Sequence, residues 1–183
     1  SLSPVISNNI YTGEHYDARL RQASWDKKGF NDTEWENALP TGAPSQQIVS
    51  QSLHPIRDVE IISAREMKKL NDRTYVFNIG RNISGTSKLT ISGKEGTIVK
   101  LVHAERLDDS GHADISEINH LYSPEDDSDP MQTDIVILSG DEDHFRSRFT
   151  YKGFQYVEVS ADKPISLTPN SLEAIYIHSD LPQ

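Results

Sequence analysis

Carboxylates dominate the chemistry this sequence could perform. Thirteen of the 28 acidic residues fall between Glu105 and Asp143, and Arg106 is the only Lys or Arg inside that span. Such a cluster could serve a calcium ion or a pair of hydrolytic acids. A tight calcium loop needs oxygens spaced so that one turn wraps the ion, as in Asp-x-Asp-x-Asp-Gly with a distal Glu. Asp108-Asp109-Ser110-Gly111 and Asp126-Asp127-Ser128-Asp129 do not keep that spacing. The stretch Leu107 to Asp129 is therefore expected to be a solvated loop or hairpin tip, and no metal site is predicted. Glycoside hydrolysis needs two carboxylates across the scissile bond, and abundance alone does not place them. Glu105 is the individual acid of interest, because it ends an apolar strand at His103-Ala104-Glu105 and such a carboxylate can face a cleft. The commoner outcome is an ion pair, with Arg106 or Arg148 as the partner.

Other chemistries find less support. The chain has no cysteine, which removes thiol nucleophiles, disulfides and thiolate metal sites. Its seven histidines show neither His-x-x-x-His nor His-Glu-x-x-His spacing. No Gly-x-Ser-x-Gly elbow supports a serine triad. Gly80-Arg81-Asn82-Ile83-Ser84-Gly85 lacks the strand–helix context of a phosphate loop and reads as a turn. Tyr11, Tyr16, Trp25 and Trp35 could form a sugar-stacking platform, although burial against a sandwich is the commoner fate of such rings. Tyr11, Trp25 and Glu105 are the candidate substrate-binding residues; no catalytic residue and no cofactor is predicted.

The totals bound the partners. At 18 Lys+Arg against 28 Asp+Glu the formal charge is −10, which repels a phosphate backbone, so no nucleic acid is expected. No apolar run approaches the roughly 20 residues that span a bilayer, so no membrane is expected either. Ser1-Leu2-Ser3-Pro4 lacks the basic start and apolar stretch of a signal peptide. The compartment stays open between the periplasm or exterior and the cytoplasm.

The elements that would position these groups are short strands. Tyr16, Ala18 and Leu20 alternate with Asp17, Arg19 and Arg21 at period 2. Asn31 or Asp32 can cap a single helical turn that brings Phe30 near Trp35. Leu39 to Ser52 is rich in Pro, Gly, Ser and Gln and reads as a connector. Strands are predicted over Ile56–Ile62, with Val59 and Ile61 on one face, over Thr74–Ile79, stopped by Gly80, and over Ser87–Gly93. Further strands are predicted over Thr97–Ala104, Thr133–Leu138, Phe149–Tyr151, Phe154–Val159 and Ala174–His178, and Gly93-Lys94-Glu95-Gly96 makes a hairpin turn. Only Ala64–Leu70 has helical spacing. The pattern predicts an all-β fold, an antiparallel, jelly-roll-like β-sandwich with little helix.

Several stretches carry a resemblance in order along the chain. Ile10-Tyr11-Thr12-Gly13-Glu14-His15-Tyr16-Asp17-Ala18-Arg19 resembles the Gly-Glu-x-Tyr-Asp-Ala-Arg signature of bacterial α-L-rhamnosidases. Trp25 to Trp35 is similar to that family's Gly-Trp-Asp-x-x-Gly-Phe-Asp-Asp-Ser-x-Trp, and Tyr75 to Gly85 to its Tyr-Val-Phe-Asp-Phe-Gly-Gln-Asn-x-x-Gly. Gly96 to Glu105 is similar to Gly-Thr-x-Val-x-Leu-x-x-Ala-Glu. Phe149 to Val159 is similar to Phe-Thr-Tyr-His-Gly-Phe-Arg-Tyr-Val-Glu-Val, and His178-Ser179-Asp180 to the His-Ser-Asp that follows. Arg81, Lys152 and Thr86 depart from the usual Gln, His and aromatic residue.

The resemblance implies a non-catalytic accessory β-sandwich of an enzyme that cleaves terminal α-L-rhamnose with inversion, the reactive carboxylates lying in a following (α/α)-barrel domain. Residues 1–40 would be the C-terminal tail of a preceding rhamnosidase β-sandwich and residues 41–183 the accessory sandwich. The implied partners are the parent enzyme's own catalytic (α/α)-barrel domain and a rhamnose-containing saccharide. Two further readings stand beside this one. One is an autonomous carbohydrate-binding module stacking on Trp25 or Tyr11. The other is a docking domain in which Glu14, Asp17 and Arg19 form ion pairs across an interface.

Overall fold

The computed structural model describes residues 3–121 and 130–181. Strands β1 (Val5–Asn9) and β2 (Gly13–Asp17) form a hairpin, followed by a single 3-10 turn at Ala18–Leu20. A long irregular segment then leads to β3 (Ile56–Ser63), β4 (Glu66–Lys69) and the 19-residue β5 (Thr74–Ser92). β6 (Ile98–Ala104), the two-residue strands β7 (Arg106–Leu107) and β8 (Ala113–Asp114), and helix α1 (Ser116–Leu121) come next. β9 (Thr133–Ile137), β10 (Glu142–Arg146), β11 (Lys152–Ala161) and β12 (Leu172–Ser179) complete the order.

One curled sheet runs β1-β2-β9-β6-β11-β5-β12-β3, with β4 and β10 both added to β5. It is antiparallel throughout except where β2 lies parallel to β9, His15 to Asp17 facing Ile135 to Ile137. The curl has its origin in β5. Its first half pairs with β4 and β11, while its second half pairs with β12 and β10, so one strand serves both layers of a β-sandwich. Between the halves β5 bulges away from β11. Phe154 faces Ile83 and Tyr156 faces Asn78, so residues 79–82 stand opposite Gln155 alone. Gly80 supplies the left-handed backbone this needs (φ +90), and its N–H donates to Asn78 Oδ1 at 2.8 Å.

The space between the layers is filled by Phe77 and Leu89 of β5, Val99 and Leu101 of β6, Val136 of β9, Phe145 of β10, Phe154, Val157 and Val159 of β11, and Leu172 of β12. Alternation along each strand delivers these side chains to one face. Full burial of each contributes about 1.5–3 kcal/mol.

Several sequence expectations are corrected. Gly80 does not stop a strand, and Arg81–Gly85 is not a free turn, because both are continuous parts of β5. Ala64–Leu70 is not helical: Glu66–Lys69 is recruited as an edge strand by Asn78 to Tyr75. The period-2 run at Tyr16–Leu20 ends at Asp17, whose carboxylate accepts from the Arg19 N–H and starts the 3-10 turn. Phe149–Tyr151 is irregular, and Glu142–Arg146 is a strand that charge hid. Leu107–Asp129 is not wholly open: Arg106 Nε and Nη1 donate to Asp114 and Glu117, tying β7, β8 and α1 together. Asp126–Asp129 lies outside the described residues. Among the described residues no helix is long and apolar enough to cross a membrane.

Candidate functional site

The bulge in β5 makes the first candidate site. It lifts Arg81 and Asn82 beside Glu105 at the end of β6, and with Ser84, Gly153 and Tyr176 they line a cavity of about 470 Å³. Asn82 Nδ2 donates to Glu105 Oε1 at 2.9 Å. The Arg81 guanidinium lies over the Tyr176 ring, 5.5 Å from its centroid, and pairs with Glu60. Glu105 thus faces a cleft, but its bonded neighbour is an amide. The expected pairing with Arg106 or Arg148 is not made, since Arg106 turns to Asp114 and Glu117. Among the described residues Glu105 is the one carboxylate lining this cavity, which supplies half of what a hydrolytic pair requires.

A second group is buried where β2, β9, β6 and β11 meet. Lys152 Nζ donates to Asp134 Oδ1 and Oδ2 at 2.8 and 3.0 Å, with both side chains closed to solvent. Glu14 N–H donates to the same Oδ1 at 2.9 Å. The Glu14 carboxylate accepts from Arg148 N–H at 3.0 Å. Burial first, and then the Asp134 charge, push the Glu14 pKa up against that hydrogen bond. Gly13 permits the approach: it has φ +142, and a Cβ there would meet Thr133 O at 2.2 Å. His103 lies alongside, fully buried. Its Nδ1 donates to Gln132 O (3.1 Å), leaving Nε2 to accept from the Ser87 hydroxyl (2.8 Å). Burial and then the Lys152 charge lower its pKa to about 4, so the ring is neutral. These groups satisfy one another inside the sandwich and present no face to a substrate.

Of the three residues expected to pair across an interface, Glu14 and Asp17 are buried within the chain. Arg19 clasps Asp17 through Nε (2.8 Å) and Nη2 (2.6 Å), which holds the Asp17 carboxyl below the usual carboxylate range. Arg19 itself is 43% exposed.

The aromatic residues depart furthest from expectation. Trp25 is 54% and Trp35 38% exposed, and neither joins the core. The turns around them do bring Phe30 and Trp35 together, with ring centroids 5.5 Å apart. With Tyr16, Phe149, Arg21 and Arg148 the two Trp rings line a cleft of about 730 Å³. Tyr11 is exposed but is not among the residues lining that cleft. No local sequence signal separated an outward ring from a buried one here.

Among the described residues no group of three or more His, Asp or Glu side chains is arranged to hold a metal. Asp108 spends its carboxylate on its own loop, accepting from Ser110 N, Ser110 Oγ and His112 N, and the His112 N–H above all lowers its pKa.

Residues 68–178 match the family described as the bacterial alpha-L-rhamnosidase concanavalin-like domain, and residues 1–60 match the alpha-L-rhamnosidase N-terminal domain. An alpha-L-rhamnosidase of Streptomyces avermitilis is 33% identical over 164 residues, 86% of this chain and 15% of that protein. One from Formosa agariphila is 27% identical over 184 residues, 99% of this chain and 19% of that protein. The solved alpha-L-rhamnosidase of Dictyoglumus thermophilum superposes with a TM-score of 0.83 at 28% identity, covering 98% of this chain and 20% of that one. The Streptomyces avermitilis enzyme, solved complexed with L-rhamnose, superposes at 0.80 and 33%, covering 98% and 17%. The chain spans less than a fifth of the curated relatives it matches.

Proposed function

Because this chain belongs to the bacterial alpha-L-rhamnosidase family, we propose that it is an accessory β-sandwich whose task is to brace the catalytic (α/α)-barrel domain of an inverting α-L-rhamnosidase. The observation that carries this reading is one of proportion. The relatives align with nearly all of this chain while most of each relative lies outside the match. The surface supports it. Val59 and Ile61 of edge strand β3 and Leu39, Ile48, Val49 and Leu53 of the segment before it all face solvent, which is costly unless another domain covers them. Arg19, the exposed member of the Asp17 pair, is proposed as a polar contact in the same docking.

The test has two arms. The purified chain should release no chromophore from an aryl α-L-rhamnoside above a mock purification, and sustained turnover would end this reading. In the full-length enzyme, Ile61→Asp and Arg19→Glu should speed proteolysis between the domains while leaving the affinity for rhamnose unchanged. Domains that stay equally resistant would remove the bracing role. A second reading, carbohydrate binding by the chain itself, draws its support from the exposure of Trp25 and Trp35.

A further inference from the structure

The cleft at Trp25 and Trp35, about 730 Å³, is larger than the cavity beside Glu105. Two features show that its aromatic wall is held in place. Trp35 donates its indole N–H to Gln22 Oε1 at 2.8 Å and leans on Phe30, so an exposed ring is fixed on two sides. Ser24 adopts a left-handed backbone, φ +62, directly before Trp25. A non-glycine residue takes that conformation when its surroundings impose it, and such strain gathers at binding sites.

The second observation is charge. Arg21 and Arg148 both line the cleft, and neither guanidinium pairs with a carboxylate among the described residues; Arg148 meets Glu14 only through its backbone N–H. Asp26, the one acid there, is taken by Lys27 at 3.5 Å. Burial above all raises the pKa of the Tyr16 phenol in the same wall; the Arg21 and Arg148 charges oppose that rise, and the Asp143 and Glu14 charges add to it. The cleft is therefore cationic on a chain of net charge −10. Guanidinium groups match a carboxylate in a two-pronged geometry. An aromatic face accepts the flat C–H side of a pyranose, and a concave apolar wall with a few placed polar groups is the ordinary form of a small-ligand site.

We propose that this cleft binds an acidic saccharide, a pyranose bearing a carboxylate, with its C–H face on Trp25 and its carboxylate between Arg21 and Arg148. The choice of a saccharide over an acidic peptide rests on the reading of the chain as part of a glycoside-cleaving protein; the preference for an anion does not.

Both tryptophans of the chain lie in this cleft, so intrinsic indole fluorescence reports on it alone. Titration of the 183-residue chain with a short oligogalacturonate should give a saturable change that weakens as salt is raised. A neutral oligosaccharide of the same length should bind at least tenfold more weakly. Arg21→Gln and Arg148→Gln should each weaken oligogalacturonate binding at least fivefold, and Trp25→Ala, followed by calorimetry, at least tenfold. Both arginines and Trp25 are exposed, and an unchanged circular dichroism melt verifies the fold of each variant. A flat titration, or equal affinity for the neutral sugar, overturns the proposal. Equal or tighter binding of a short polyglutamate overturns the saccharide assignment. The bracing role is tested separately, by proteolysis of the full-length enzyme.

Discussion

Lys152 Nζ sits between the two carboxylate oxygens of Asp134, and the side chains of both are at most 2% exposed. A buried pair is costly to assemble, and more costly to halve. Lys152→Met should destabilise the chain by about 3–5 kcal/mol, because it leaves Asp134 charged with little beyond the Glu14 N–H to hold it. Adding Asp134→Asn removes the charge while keeping an acceptor for that N–H, and should recover most of the loss. Urea denaturation of both variants measures this. A double variant no more stable than Lys152→Met would contradict the account.

The neutral state of His103 has a pH signature. Its folded pKa of about 4 lies below the ordinary 6.5, so between these values the unfolded chain holds more protons. His103 therefore contributes stability above pH 6.5 that is lost as pH falls toward 4, amounting to roughly 3 kcal/mol over the window. The groups around it are Ser87, the Gln132 carbonyl, the Phe154 ring, Lys152 and Asp134. Glu14 acts with the opposite sign: its raised pKa gives stability that is present at low pH and lost as pH rises through the folded value. Urea midpoints between pH 7 and 4.5 should fall less steeply in His103→Gln and more steeply in Glu14→Gln than in the parent chain. Parallel profiles for all three would refute the assignment.

Gly13→Ala should open the seam between β2 and β9. The added methyl would lie 2.2 Å from Thr133 O and 2.8 Å from Asp134 Oδ1, at a φ that L side chains rarely adopt. A cost of more than about 1 kcal/mol is expected. Amide exchange at His15–Asp17 and Ile135–Ile137 should quicken ahead of that in β6 and β11.

Ser147 should be dispensable for stability. Its hydroxyl is buried and has no hydrogen-bond partner among the described residues, so its desolvation is uncompensated. Ser147→Ala should be neutral or stabilising by up to about 1–2 kcal/mol. A fall in the melting temperature would show that the hydroxyl has a role the geometry does not display.

Much of the scaffold could be read directly from residue order. Val99 and Leu101 alternate with outward residues, as do Val157 and Val159, and the core receives all four. What escaped was decided at long range. Met67 and its neighbours become a strand because β5 offers them an edge, a fact absent from Glu-Met-Lys-Lys itself. Phe145 belongs to the core, yet Glu-Asp-His-Phe-Arg carries no strand pattern, because its second residue, Asp143, is a buried charge that accepts from Ser139 N–H and Oγ at 2.8 Å. The cleft is half visible in the sequence: the residues that line it include Tyr16, Trp25 and Trp35, which offer a platform although burial is the commoner fate of such rings. Their exposure depends on Gln22 and Ser24, whose parts no pattern announces. Lys152 stands out in the sequence only as a departure from the residue usual in the family, since nothing local links it to Asp134.

The parallel seam between β2 and β9 has a practical consequence for anyone trimming this protein. A product starting after Leu20 would lack the neighbour that occupies the outer rim of β9, leaving the hydrogen-bonding groups of Ile135 to Ile137 bare. An uncapped β-branched rim of this kind templates chain-to-chain stacking. The shortened product should collect in inclusion bodies, so expression should retain the opening hairpin even where only the later strands are wanted.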